Sequence, residues 1–98
     1  MILVRDIFQL KFGKARDAQM LWKEGASILR KADVNVSRVL TDLTGQYYTM
    51  VMESTYDSLS AFDAAMKSEM GSDDWRAFYQ KFVPLVDSGR REIFTIVS

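Results

Sequence analysis

The chain predicts an α+β domain in which one antiparallel sheet carries helices on a single face. Apolar residues alternate in four stretches and recur at three- and four-residue steps in the others. The stretches run strand, helix, strand, strand, helix, strand with hardly a spare loop. The 98 residues suit one domain, 1–98, with no room for a second core. Consecutive strands two and three pair as a hairpin, so the expected sheet order is 4-1-3-2, with both crossover helices on one face.

Residues 2–12 read as the first strand. Ile2, Val4, Phe8, Leu10 and Phe12 share its oilier face with Asp6 as the exception, and this face is assigned to the helices. Leu3, Arg5, Ile7, Gln9 and Lys11 take the other. Gly13 ends the strand. From Lys14 to Ala32 the period turns helical, with a stripe of Ala18, Leu21, Trp22, Gly25, Ile28, Leu29 and Ala32. Trp22 reads as a core anchor. Gly25 weakens the helix by roughly 1 kcal/mol relative to Ala and is expected to let its backbone approach the sheet.

Residues 34–43 and 46–54 are the next strands, joined at Thr44-Gly45. A two-residue loop there sets Asp42 opposite Tyr47, Leu40 opposite Thr49, Arg38 opposite Val51 and Val36 opposite Glu53. The alternate face, with Ser37, Val39, Thr41, Tyr48, Met50 and Met52, belongs under the helices. Asp57 is the expected cap of a helix with Leu59, Phe62, Met66 and Met70 on its stripe. Gly71 splits this second helix, and Ser72 caps the next half, with Asp73 and Asp74 in its first turn. Trp75, Phe78, Tyr79, Phe82, Leu85 and Val86 repeat at helical spacing until Pro84 forces a kink or stop near Phe82. Ser88-Gly89 is the expected turn into a last strand over 90–97.

Composition excludes several function classes. Thirteen basic residues balance thirteen acidic ones, which leaves no global field for nucleic acid or an anionic membrane. No Cys and no His are present, which removes thiolate zinc sites, cysteine nucleophiles and the usual base of a serine triad. The opening Met1-Ile2-Leu3-Val4 run is too short for a signal peptide, and no apolar stretch approaches a membrane span. A soluble, cytoplasmic protein is the expectation. Asp73-Asp74 reads as helix-dipole stabilisation rather than a metal site, and the methionines at 50, 52, 66 and 70 as adaptable core. There is no G-x-G-x-x-G fingerprint, so neither a metal nor a cofactor is called for.

Three segments carry a family resemblance: Phe8-Gln9-Leu10-Lys11-Phe12-Gly13-Lys14, Arg38-Val39-Leu40-Thr41-Asp42-Leu43-Thr44-Gly45, and the run from Phe82-Val83-Pro84 through Asp87-Ser88-Gly89-Arg90-Arg91-Glu92-Ile93. Through them the whole chain resembles the dimeric α/β-barrel superfamily with its ferredoxin-like subunits. Within it, the chain is most similar to small bacterial NIPSNAP-like and antibiotic-biosynthesis-monooxygenase-like proteins. The resemblance implies a homodimer whose helix-free sheet faces meet. The haem-degrading branch ligates iron through His, which this chain lacks. The cofactor-independent monooxygenases surround an aromatic substrate with Trp, Tyr, Asn and Arg, residue types supplied here by Trp75, Tyr47, Asn35 and Arg38.

The helix-free face gathers Arg5, Gln9, Arg38, Asp42, Tyr47 and Glu53 among Leu3, Ile7, Leu40 and Val51. It reads either as an interface with ion pairs or as a cavity with fixed polar groups. In the second reading Arg38 anchors an anionic or enolate oxygen, with Arg5 beside it. Glu53 or Asp42 accepts a proton if burial raises its pKa, Tyr47 donates a hydrogen bond, and Trp75 stacks. The apolar residues of that face also argue for burial in a dimer. Three function classes follow: a cofactor-independent monooxygenase or isomerase acting on an aromatic or polyketide-like compound, a non-catalytic binder of a small hydrophobic ligand, and a purely structural dimer.

Overall fold

The computed structural model describes the backbone of all 98 residues and every side chain except those of Glu69 and Met70. Met70, expected on the helical stripe, therefore lies outside the described side chains. The elements are β1 (Ile2–Leu10), α1 (Ala15–Lys31), β2 (Val36–Thr41), β3 (Thr49–Tyr56), α2 (Leu59–Met70), α3 (Asp73–Phe82), a 3₁₀ turn (Val83–Leu85) and β4 (Val86–Thr95). The sheet order is β2-β3-β1-β4 with every pair antiparallel, the expected order. β1 lies at the centre because the crossover helices carry the chain past a neighbouring strand. The core sits between sheet and helices, with Leu10, Ala18, Trp22, Met50, Phe78 and Phe82 buried together.

Local chemistry explains most boundaries. Asp17 in the first turn of α1 and Arg30 and Lys31 in its last complement the helix dipole. Ser72 Oγ accepts from the Trp75 N–H at 3.1 Å and so caps α3. The helix stops at Phe82, where Pro84 ends the α-helical hydrogen bonding and the chain tightens into the 3₁₀ turn.

Several expectations need correction. β1 ends at Leu10, so Phe12 is 79 % exposed instead of lying under the helices. Lys14 N–H bonds Lys11 O at 2.9 Å and Gly13 adopts φ 83°, which turns the chain away after the strand. The cap of α2 is Ser58, whose Oγ accepts from Ala61 N–H at 3.1 Å, and not Asp57. Leu59 is exposed, leaving Phe62 as the buried residue among the described side chains of that helix. Ser88 and Gly89 form no turn but lie within β4, which starts at Val86 and carries a bulge at Asp87 opposite Gln9 and Leu10.

The hairpin register is displaced by two residues from the expected one. Arg38 stands opposite Glu53, Leu40 opposite Val51 and Thr41 opposite Met50. The loop is longer than Thr44-Gly45 because the Asp42 carboxylate takes the Thr49 N–H at 3.0 Å, closing the ladder early. An even displacement keeps every side chain on its face, so the predicted faces of 38–41 survive. A bulge between Val36 and Arg38 moves Val36 under the helices, where it packs against the core, while Val39 is partly exposed.

Gly25 is buried on α1, but what it admits is α3 and not the sheet. A Cβ there would lie 2.7 Å and 2.8 Å from two ring carbons of Phe78 and 2.9 Å from Trp22. Phe78 is 1 % exposed and held by rings on several sides, so it cannot yield cheaply. Gly25→Ala gains about 1 kcal/mol of helix propensity but overpacks the site by about 1–3 kcal/mol. We therefore expect a net loss of stability of about 1 kcal/mol in urea denaturation. A variant as stable as the parent would refute this close-packing account.

Candidate ligand cavity and charged sheet face

The sheet separates two chemically different regions. Between it and the helices lies a partly open cavity of about 500 Å³. Phe8, Met52, Tyr56 and Val86 form its floor, and Trp22, Phe62, Met66, Trp75 and Tyr79 come from the three helices. Its size falls within the range of small-molecule sites, and its body is apolar. Polar residues of the lining include Asp6, Ser54, Asp87, Ser88 and Arg91.

Two features set the chemistry of this cavity. Arg91 Nε donates to Asp6 Oδ1 at 2.6 Å, and its guanidinium lies 5.2 Å from the Phe62 ring centroid. One side chain thus joins two strands to α2, and its charge is balanced by Asp6. Trp75 packs against Phe78 with centroids 5.0 Å apart, and its buried Nε1–H has no acceptor among the described residues.

The helix-free face carries a row of charges at one level of the sheet, because Arg5 pairs across with both Glu53 and Glu92, and Arg38 with Glu53. Glu53 is 3 % exposed. Arg38 Nε donates to its Oε1 at 2.6 Å, and Arg5 Nε lies 3.1 Å from Oε2 as an ion pair not aligned for a hydrogen bond. Arg5 reaches Glu92 at 3.5 Å, and Arg90 reaches the other Glu92 oxygen at 3.7 Å. The signs therefore alternate Arg38, Glu53, Arg5, Glu92, Arg90. The hydrogen bond to Glu53, and then its charge, raises the Arg38 guanidinium above its ordinary pKa. It stays cationic throughout the physiological range.

The expected site residues do not converge. Arg38 and Glu53 meet, but Arg38 borders none of the three cavities described. Both oxygens of Glu53, expected to serve as a proton acceptor, face arginines. Asp42 closes the β2–β3 hairpin through Thr49, another structural task. Tyr47 is 71 % exposed beside a small cleft with Phe12 and Asp42, and Asn35 is bonded to Thr55 Oγ1. Trp75 alone of the proposed ligand-binding set borders the large cavity. The cavity of about 500 Å³ lies on the helix side of the sheet, and an open cleft of about 480 Å³ lies on the helix-free face where a cavity was expected, lined by Ile7, Gln9, Leu40, Asp42 and Val51 among others. The sequence reasoning overlooked Arg91, whose signal was Asp6: a charge on an otherwise apolar strand face asks for a cross-strand partner.

Removing one member of a buried ion pair strands the others, whereas loss of an exposed member costs little. Glu53→Gln is expected to lower stability by about 2 kcal/mol in urea denaturation, and Glu92→Gln by less than about 1 kcal/mol. Equal effects would show that burial does not govern this ladder.

No protein-family model matches the chain, and no curated protein matches it. Among solved structures, an uncharacterised NIPSNAP domain protein from Burkholderia xenovorans superposes with a TM-score of 0.93 at 18 % identity, over 100 % of this chain and 96 % of that one. A NIPSNAP family protein from Agrobacterium tumefaciens gives 0.93 at 20 % identity, covering 98 % and 92 %. SnoaB, a cofactor-independent oxygenase from Streptomyces nogalater, gives 0.73 at 12 % identity, covering 99 % and 93 %. At these identities the likeness is one of fold: the chain has the ferredoxin-like α+β architecture that these proteins share.

Proposed function

We propose that this protein is a homodimeric small-molecule binder that holds a hydrophobic ligand between its helices and its sheet. The carrying observation is the partly open, mostly apolar cavity of about 500 Å³, which has the size and lining of a small-molecule site. It favours ligand handling over a purely structural dimer. Binding is favoured over acid–base chemistry because Glu53 and Asp42 are both engaged in the fold. Cofactor-independent oxygenation is a second reading, supported by the fold shared with SnoaB and by Trp75 in the cavity wall.

Ala65 lines the cavity from α2, so Ala65→Phe fills it. The neutral dye N-phenyl-1-naphthylamine is expected to brighten with the parent protein and to bind at least tenfold more weakly to the variant. Unchanged binding would refute the cavity as the site. Oxygen uptake in the presence of a ligand recovered by native mass spectrometry distinguishes the two readings, since a binder consumes none.

The dimer is proposed through the helix-free face. Leu40 is only half-buried there and Phe94 is 47 % exposed, at opposite edges of the charged row. Ile7 and Val51 are already buried within one chain, so these edge residues and the ladder are what a second copy would cover. Sedimentation is expected to give a species of twice the 11.3 kDa chain mass, and Leu40→Lys to give the single chain. A parent protein sedimenting as one chain at micromolar concentration would exclude the dimer. Among the described residues, no helix is long and apolar enough to cross a membrane.

A further inference from the structure

Resting on that reading of the cavity, we infer that its ligand is uncharged and largely apolar, with one hydrogen-bond acceptor to which Trp75 Nε1–H donates. The first support is the charge balance of the lining. Arg91 is paired with Asp6, Arg90 with Glu92 and Glu53 with two arginines, while Asp87 is exposed at the rim. Asp87, solvated at the rim, is therefore the one lining charge without an ion-pair partner among the described residues, and deeper in the cavity nothing compensates a charge on the ligand, whose burial there is strongly unfavourable. The second support is Trp75 itself. An indole N–H is a donor only, and this one is shielded from water with no acceptor among the described residues. Such a group is costly to leave unsatisfied, so an acceptor arriving with the ligand recovers a loss already present in the empty protein.

The local packing keeps this donor in place. The Trp75 ring lies against Phe78, which is in turn stacked on Phe82 at 5.6 Å, and Ser72 caps the first turn of α3 through the Trp75 N–H of the main chain. The indole N–H is covered in the empty cavity, so the acceptor reaches it by displacing a neighbouring side chain. Met52 and Met66, the two methionines of the lining, are the most deformable groups for that movement. Trp75 is thus a specificity-determining residue: it discriminates between ligands of equal shape by the presence of one acceptor oxygen.

The test uses the intact protein and three probes of nearly the same shape: fluorene, 9-fluorenone and fluorene-9-carboxylate. Affinities come from calorimetry, and the indole N–H signals from proton–nitrogen correlation spectra. Fluorenone is expected to bind about fivefold tighter than fluorene, the factor given by one hydrogen bond of ordinary strength, and the carboxylate more weakly than either. Only fluorenone should move the Trp75 indole N–H signal downfield. In Trp75→Phe the ratio of fluorenone to fluorene affinity should fall to about one, whatever the change in fluorene affinity itself. The spectral shift needs no variant, so it stands even if Trp75→Phe folds poorly. Equal affinities of fluorene and fluorenone, an unmoved indole signal, or tighter binding of the carboxylate would overturn the inference while leaving the cavity as a site. Binding of none of the three would overturn the reading of the cavity and the inference with it.

Discussion

The contact between Gly25 of α1 and Phe78 of α3 sets the geometry on which the remainder depends. Phe78 meets Trp22 at 5.7 Å, Trp75 at 5.0 Å and Phe82 at 5.6 Å, and Phe82 in turn meets Phe8 of the central strand at 5.1 Å. A missing Cβ on α1 thus lets the Phe78 ring join α1 to α3 and, through Phe82, to the sheet. The same ring supports Trp75 against the cavity. Packing at interior density is stiff, so the spacing between α1 and α3 and the shape of the space beside them are fixed together.

β1 uses its two faces for different purposes. Val4, Phe8 and Leu10 face the helices, and the aromatic packing closes one end of that layer while the other stays open as the cavity. Arg5 on the opposite face sits between Glu53 and Glu92, where the signs alternate across all four strands. An ordered row of alternating charge contributes little net field but penalises a misaligned partner by placing like charges together. It therefore specifies an orientation better than it supplies affinity. In the proposed dimer the apolar edge residues Leu40 and Phe94 would be the better source of association energy.

Legibility differed between the fold and the site. Alternation over 2–10, the helical stripe through Ala18, Trp22 and Gly25, and the Gly71-Ser72 and Pro84 breaks are local signals, and they suffice for element order and sheet order. Hairpin register was not legible, because it turned on Asp42 competing for a backbone N–H and on a bulge after Val36. The pairing of Arg38 with Glu53 emerged only from that altered register. Trp75 was visible as an aromatic on the α3 stripe, but neither its unsatisfied donor nor the enclosing walls have a counterpart in spacing.

Periodicity alone settles that this chain forms four strands and helices with one oily sheet face, because it decides which side of each element can be buried. Composition settles which chemistries are absent, because no His or Cys exists to perform them. The tertiary structure decided where the usable space lies. A cavity is a difference between large packed volumes, fixed here by ring contacts between residues far apart in the chain, such as Phe8 with Phe82 and Tyr56 with Phe62. The same holds for the fate of the carboxylates. Glu53 as a letter is a candidate base, and only its placement between two arginines made it part of the framework.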